Sequence, residues 1–241
     1  MNKNQYFKNL QIPEGKIDVV LDTDTSNEID DQFALSYMLS YKERLNIKGI
    51  YAAPYTHPGI PADVGVAESY DEIMRILKLA ECEEYIPLTF KGATAFLKNE
   101  TTPVESDAVE ALIKEARAHT PENPLYIVAI AAITNIASAI IKDPSICENI
   151  VIVWLGGHSI DNKLTDEYNM VNDIAAARVV ISSNAPYIQL PCDGVVNSFA
   201  ISFLEMEHFL KGKNPLCDFL IKRVADEIEE FLKLGTASRV I

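Results

Sequence analysis

The strongest constraint on this chain is its rhythm: short β-branched runs alternate with amphipathic helical patterns along almost its whole length. Ile17–Leu21 reads as a first strand, Asp30–Tyr41 as a helix, and Leu45–Ala53 contains a second strand. Tyr70, Ile73, Leu77 and Ala80 recur at three- and four-residue spacing, which predicts a helix over Ala67–Leu79. Thr102-Pro103-Val104-Glu105 has the form of a capping box with proline at the first helical position, predicting a helix from there to about Ala118. Leu125–Ile130 and Ile150–Leu155 read as strands, with a helix over Asn135–Ile141 between them. Asn172–Ser182 reads as helical, Tyr187–Leu190 as extended, and Phe199–Leu210 and Pro215–Lys233 as two closing helices. The last carries Leu216, Leu220, Val224, Ile228 and Phe231 along one face. Strands alternating with helices imply right-handed crossovers, hence an α/β, Rossmann-like fold with a mainly parallel sheet and helices on both faces. No internal repeat, low-complexity stretch or linker interrupts the pattern, so residues 1–241 are expected to form a single domain.

Ligands of such folds bind beyond the carboxyl ends of the strands. There, Val19-Val20-Leu21 runs into Asp22-Thr23-Asp24-Thr25-Ser26-Asn27-Glu28-Ile29-Asp30-Asp31, five carboxylates within ten residues. Like charges this close repel and raise one another's pKa, so a cation normally offsets them. The donors are hard oxygens, which suit Ca²⁺ or Mg²⁺. The alternative is an acid-rich solvated loop at a helix N-terminus, where negative charge suits the dipole. Asp24 and Asp31 flank a tight turn and can reach one cation; Asp22 and Asp30 are then held by neighbours or by substrate hydroxyls. A main-chain carbonyl near Ile133 or Thr134 would be a further hard ligand. A metal here would orient a water and lower its pKa while a carboxylate takes the proton. The turns Ala131–Asn135 and Gly156-Gly157-His158 follow their own strands onto the same rim.

Composition narrows the partners. A net charge of −14 argues against nucleic acid and against an anionic membrane surface, but not against a neutral nucleoside, a sugar or a metal. Met1–Lys16 lacks the apolar core of a signal peptide, and Tyr126–Ile141, interrupted by Thr134 and Asn135, is too short to span a bilayer. Cys82, Cys147, Cys192 and Cys217 form no C-x-x-C pair and read as buried thiols in a reducing cytoplasm.

Taken in order, Asp22-Thr23-Asp24 with Asp30-Asp31, Ile133-Thr134-Asn135-Ile136-Ala137, Gly156-Gly157, and Glu167-Tyr168-Asn169 before Asp173-Ile174-Ala175-Ala176 resemble the inosine–uridine-preferring nucleoside hydrolase family over roughly Ile17–Gln189. The resemblance implies a Rossmann-like protein that binds Ca²⁺, hydrolyses the N-glycosidic bond of ribonucleosides and forms homo-oligomers. It implies that Asp24 and Asp31 are calcium ligands, that Asp24 also accepts the proton of the attacking water, and that the Ile133 or Thr134 carbonyl completes part of the shell. Asp30, with catalytic standing beside Asp24, would hold ribose hydroxyls. Asn27 or Glu28 would face the sugar, and Glu167 and Asn169 would bind it from the opposite side. These residue types suit an oxocarbenium-like transition state, which gains from nearby carboxylates.

Two departures stand out. The common Asp-x-Asp-Pro-Gly-x-Asp-Asp motif is here the longer Asp24-Thr25-Ser26-Asn27-Glu28-Ile29-Asp30-Asp31. The late aspartate of the family, which supplies a further calcium ligand, has no counterpart in Leu234–Ile241, and Asp193 comes too early in the order to replace it. Either the chain is C-terminally truncated or it is a member that lost part of its site. Two other readings compete. One is a haloacid-dehalogenase-like Mg²⁺-dependent phosphatase with Asp22 as nucleophile and Asp24 as acid/base, although Gly156-Gly157-His158 stands where a late acidic pair is needed. The other is a non-catalytic nucleoside-binding protein on the same scaffold. His57 and His158, in turns near the rim, are candidates to protonate a leaving base; Tyr51, Tyr55 and Tyr168 are candidates to stack on one; Trp154 reads as core.

Overall fold

The computed structural model describes residues 1–233. The tail Leu234–Ile241, where the late aspartate is missing, lies outside the described residues. Six parallel strands make one sheet: β1 (Ile17–Thr23), β2 (Leu45–Ala52), β3 (Thr89–Lys91), β4 (Leu125–Ala129), β5 (Ile150–Leu155) and β6 (Tyr187–Leu190). Their spatial order is β3-β2-β1-β4-β5-β6, so the strand order reverses between β1 and β4. In an open parallel sheet that reversal leaves a crevice at the carboxyl ends, because the two flanking crossovers depart to opposite faces.

The strand residues explain why both faces are covered. Val19 and Leu21 pack with α2 (Asp30–Ser40), α3 (Ala62–Leu79) and Leu220, while Val20 faces the other core. Leu125, Ile127, Ile150, Ile152 and Trp154 join Val20 there, against α4 (Asp107–Arg117), α5 (Thr134–Lys142) and α7 (Ile174–Ile181). Alternation along each strand sends successive side chains to opposite faces, so near-continuous apolar runs build two cores at once. α1 (Lys3–Asn9), which the sequence pattern did not signal, packs at the amino end of the sheet through Gln5 and Asn9, both bonded to the Pro121 carbonyl. A small third core joins Ile29, inside the acidic turn, to Met206 of α8 (Phe203–Leu210) and Val224 of α9 (Pro215–Lys233). The two C-terminal helices therefore lean on the loop that carries the carboxylates.

Several expected boundaries are corrected. Residues 102–105 are not a helix start: the chain there has no regular secondary structure, Val104 N–H donates to Ser138 Oγ at 3.1 Å, and Glu105 pairs with Lys142. The cap of α4 is Ser106, whose hydroxyl accepts Val109 N–H at 3.3 Å. The Asn172–Ser182 helix is two helices, α6 (Tyr168–Asn172) and α7, broken at Asp173, which leaves helical geometry (φ −143°, ψ 79°) so that its carboxylate can cap α7. Phe199–Ser202 precede α8, which opens at a Ser202–Glu205 capping box. Two of the four cysteines, Cys192 and Cys217, are half-buried rather than buried; all four are free. Among the described residues no helix is long and apolar enough to cross a membrane.

Candidate active site

β1 ends at the crevice and delivers Asp22, Thr23 and Asp24 to it, all buried. The chain then turns, with Asn27 N–H bonded to the Asp24 carbonyl at 2.7 Å, and α2 starts at Asp30 and Asp31. This brings Asp24 and Asp31, seven positions apart in sequence, within hydrogen-bonding reach of each other. Burial, followed by the neighbouring Asp30 charge, pushes the Asp24 carboxyl well above the usual range. Burial, followed by the Asp24 and then the Asp30 charge, does the same for Asp31. Thr23 Oγ1 donates to Asp31 and lies 2.9 Å from Thr25 Oγ1, so hydroxyls rather than cations hold Asp31 in place. Asn27 Nδ2 donates to Asp24 at 3.0 Å. Asp30 opens to solvent at the rim, and the protein mass around it raises its carboxyl.

Across the crevice, the β4–α5 turn supplies the opposite lip. Its carbonyls are braced: Ile130 accepts Asn169 Nδ2 at 3.2 Å, Ala131 accepts Trp154 Nε1 at 2.9 Å, and Ile133 accepts Ala137 N–H at 3.0 Å. Thr134 is fully buried with its hydroxyl donating to Asp173 at 2.7 Å. The same Asp173 oxygen accepts Leu97 N–H at 2.8 Å, tying three segments together. Asn135, also fully buried, donates from Nδ2 to Asp22 at 2.7 Å and accepts Ala93 N–H at 2.8 Å. Gly92 leaves the room for it, since a Cβ there would stand 2.2 Å from the Ala52 carbonyl and 2.4 Å from Asn135 Nδ2. The other Asp22 oxygen, Oδ2, is buried with no hydrogen-bond partner among the described residues, and burial raises this carboxyl to about 7.

Glu167 and Asn169 line the far wall. The Glu167 carboxylate accepts three backbone N–H groups, from Gly157 at 2.5 Å and from Asn169 and Met170 at 2.9 Å, so it fixes the start of α6 to the turn after β5. Gly157 sits at φ +73°, a conformation glycine adopts without strain. Asn169 Nδ2 bonds the ends of β4 and β5. Tyr168 reaches back over the acidic turn, its hydroxyl donating to the Thr56 carbonyl at 2.9 Å. His57 is exposed beside it, whereas His158 is taken up by Asp193 N–H at 3.3 Å and by Asp166 at 3.6 Å. Asp193 itself is spent on Asn162 and Asn197. Tyr51 is buried in the sheet, and Tyr55 is bonded to Glu68 at 2.5 Å.

The expected site residues thus come from three segments onto one rim. Sequence reasoning did not assign Thr23, Asn135 and Asp173, although all three lie inside the quoted motifs. Asp173, directly before an apolar helical run, carries a visible N-cap signal. Asn135 gives no local signal, because its partners are 42 and 113 residues away.

Among the described residues, no three His, Cys, Asp or Glu side chains gather closely enough to hold a metal ion by themselves. The donors present still fit a hard cation in kind: two facing carboxyls, Asp24 and Asp31, with the orphaned Asp22 oxygen and turn carbonyls nearby. Water and substrate hydroxyls would have to supply the rest of the shell.

A comparison with curated protein sequences gives no match. The fold is similar to a plant nucleoside hydrolase, PpNRh1 (17% identity, TM-score 0.69, covering 90% of this chain and 73% of that one). It is also similar to a purine-preferring ribonucleoside hydrolase from Gardnerella vaginalis (22%, 0.66, 90% and 73%). The type III effector XopQ, solved with adenosine diphosphate ribose, shares the fold at 15% identity (TM-score 0.66, 97% and 73%). The model of the family described as inosine-uridine preferring nucleoside hydrolase matches residues 19–234, nearly the whole chain. With the acidic strand end, the braced β4–α5 turn and the Glu167 wall all inside that span, the chain belongs to the inosine–uridine-preferring nucleoside hydrolase family, a family of N-ribosyl hydrolases.

Proposed function

We propose that this protein hydrolyses the N-glycosidic bond of ribonucleosides with Ca²⁺ as its cation. The observation that carries the reading is the Asp24–Asp31 pair, buried together at the strand-order reversal, where burial and the neighbouring Asp30 charge raise both carboxyls. Asp24, Asp31 and the Ile133 or Thr134 carbonyl would hold the ion, which when bound neutralises the pair and polarises water and sugar hydroxyls. Asp24 accepts the proton of the attacking water, and Asn27, bonded to Asp24, keeps that carboxylate aimed. Asp30, open at the rim, holds ribose hydroxyls together with Asn27. Glu167 and Asn169 act on the sugar through the wall they build. The carboxylates around the sugar favour the positive charge that develops as the base leaves. The free cysteines fit a reducing cytoplasm, and the net charge of −14 fits a small neutral substrate better than nucleic acid. A homo-oligomer is the expected assembly.

The test is calorimetric titration of the chelator-stripped protein with Ca²⁺, followed by an assay for free base released from inosine and uridine. Asp24→Asn is expected to abolish both cation binding and base release. Normal Ca²⁺ affinity in that variant would overturn the ligand assignment. The commitment of Glu167 to backbone donors favours one second reading, a nucleoside-binding protein without catalysis, which tight inosine binding without base release would establish.

A further inference from the structure

Base release needs a proton as well as a water, and the residues placed above supply a proton acceptor but no donor. All four histidines of the chain lie in the described residues, and the fold engages two of them with polar partners. His119 is buried at the amino end of the sheet, bonded to Asp18 at 3.1 Å and to the Glu115 carbonyl at 2.9 Å. His158 is held by Asp193 and Asp166. His208 lies on α8 against the Phe209 ring, 4.9 Å away.

His57 shares exposure and unbonded ring nitrogens with His208 and differs from it in packing against Tyr168, beside Glu167. It is exposed, and its ring nitrogens make no hydrogen bond among the described residues. Its ring is nonetheless held: Tyr55 meets it edge-on at 5.6 Å and Tyr168 lies tilted beside it at 5.8 Å. The turn that carries it is docked onto α6 on either side of Thr56, by Tyr168 Oη to the Thr56 carbonyl at 2.9 Å and by Thr56 Oγ1 to Asn172 at 3.2 Å. Tyr168 stands between Glu167 and Asn169 in sequence and faces Asn27, which bonds Asp24. The His57 imidazole therefore stands where the acidic turn and the Glu167 wall meet, at the open side of the crevice. A base leaving through this open side would meet the ring.

We propose that His57 is the group that protonates the departing base, an assignment that rests on the hydrolase reading above. As the water oxygen bonds to the anomeric carbon, the carbon–nitrogen bond breaks and its electron pair leaves with the base. His57 gives its proton to a nitrogen of the base, and Asp24 takes the proton of the water. Exchange with solvent then restores both groups, so one water is consumed and no other reactant is needed.

The experiment compares two substrates in wild type and in His57→Phe, which keeps an aromatic ring between Tyr55 and Tyr168 but has no proton to give. Inosine needs its leaving base protonated; p-nitrophenyl β-D-riboside expels a stable anion that does not. General acids typically contribute about 10²–10⁴-fold. His57→Phe is therefore expected to lower kcat on inosine by about 10²–10⁴-fold while changing kcat on the nitrophenyl riboside less than about threefold. Equal losses on the two substrates, or an unchanged rate on inosine, would overturn the assignment. A wild-type protein that cleaves neither substrate would refute the hydrolase reading itself and His57's role with it, a result separable from the first two because it appears before any substitution is made.

Discussion

Asn135 offers the sharpest test of how the crevice is held together. It is fully buried and makes two short hydrogen bonds, donating to Asp22 at 2.7 Å and accepting from Ala93 N–H at 2.8 Å, with a longer contact to the Ala52 carbonyl at 3.4 Å. Asn135→Ala removes both short bonds. The Asp22 carboxyl, whose other oxygen already has no partner, would then be buried with neither oxygen satisfied, and the Ala93 N–H would lose its acceptor. Each unsatisfied buried group costs about 1–3 kcal/mol. With two groups orphaned and a small void added, the expected loss is about 3–5 kcal/mol. For a chain of this size that corresponds to a fall in Tm of roughly 6–20 °C. Urea unfolding followed by circular dichroism reads it as a lower midpoint at constant slope. A loss below about 1 kcal/mol would refute the reasoning, because it would mean that water or a rearranged turn satisfies Asp22 and Ala93 as well as Asn135 does.

Two further tests address the rest of the molecule. At the amino end of β1, burial raises the Asp18 carboxyl, but hydrogen bonds from Asn46 and His119 and the Lys48 ammonium together hold it below its ordinary value. A carboxyl with a depressed folded-state pKa contributes stability above the unfolded pKa of about 4 and loses it as pH falls through the folded value. Asp18→Asn is thus expected to be less stable than wild type near neutrality, the gap closing below about pH 4; a gap that persists unchanged in acid would show that the charge is not its source. Ser106→Ala is expected to cost about 1 kcal/mol through the lost cap of α4, whereas Thr102→Ala should stay within about 0.5 kcal/mol, and the reverse order of urea midpoints would restore the helix start at residue 102.

Much of the architecture was legible in the chain because it is written in local periodicity. Ile150–Leu155 and Tyr187–Leu190 have the boundaries the pattern predicts, and the last helix opens at Pro215 as predicted, since apolar runs and amphipathic stripes depend on neighbours a few positions away. Where the reading of boundaries failed, a distant contact had outcompeted a local signal. Thr102-Pro103-Val104-Glu105 carries the letters of a capping box, yet Ser138, 34 residues on from Val104, takes the Val104 N–H and the segment is not helical. Asp173 breaks a continuous helical pattern because Leu97 and Thr134, far away in sequence, bond its carboxylate.

The candidate site divides along the same line. The sequence alone determined that five carboxylates crowd the end of the first strand, that this end lies on the binding rim of a parallel sheet, and which family the motifs resemble. Density of charge and order of motifs are properties of the string itself. Only the tertiary structure decided that Asp24 and Asp31 come within reach of each other, that Glu167 is bound to three backbone N–H groups, that Asn135 braces Asp22, and that the exposed His57 ring lies beside Tyr168. The Asn135 contacts turn on which buried donor reaches which acceptor across 42 and 113 residues of chain, and hydrogen bonds at that separation follow from the packing of whole elements rather than from any local pattern.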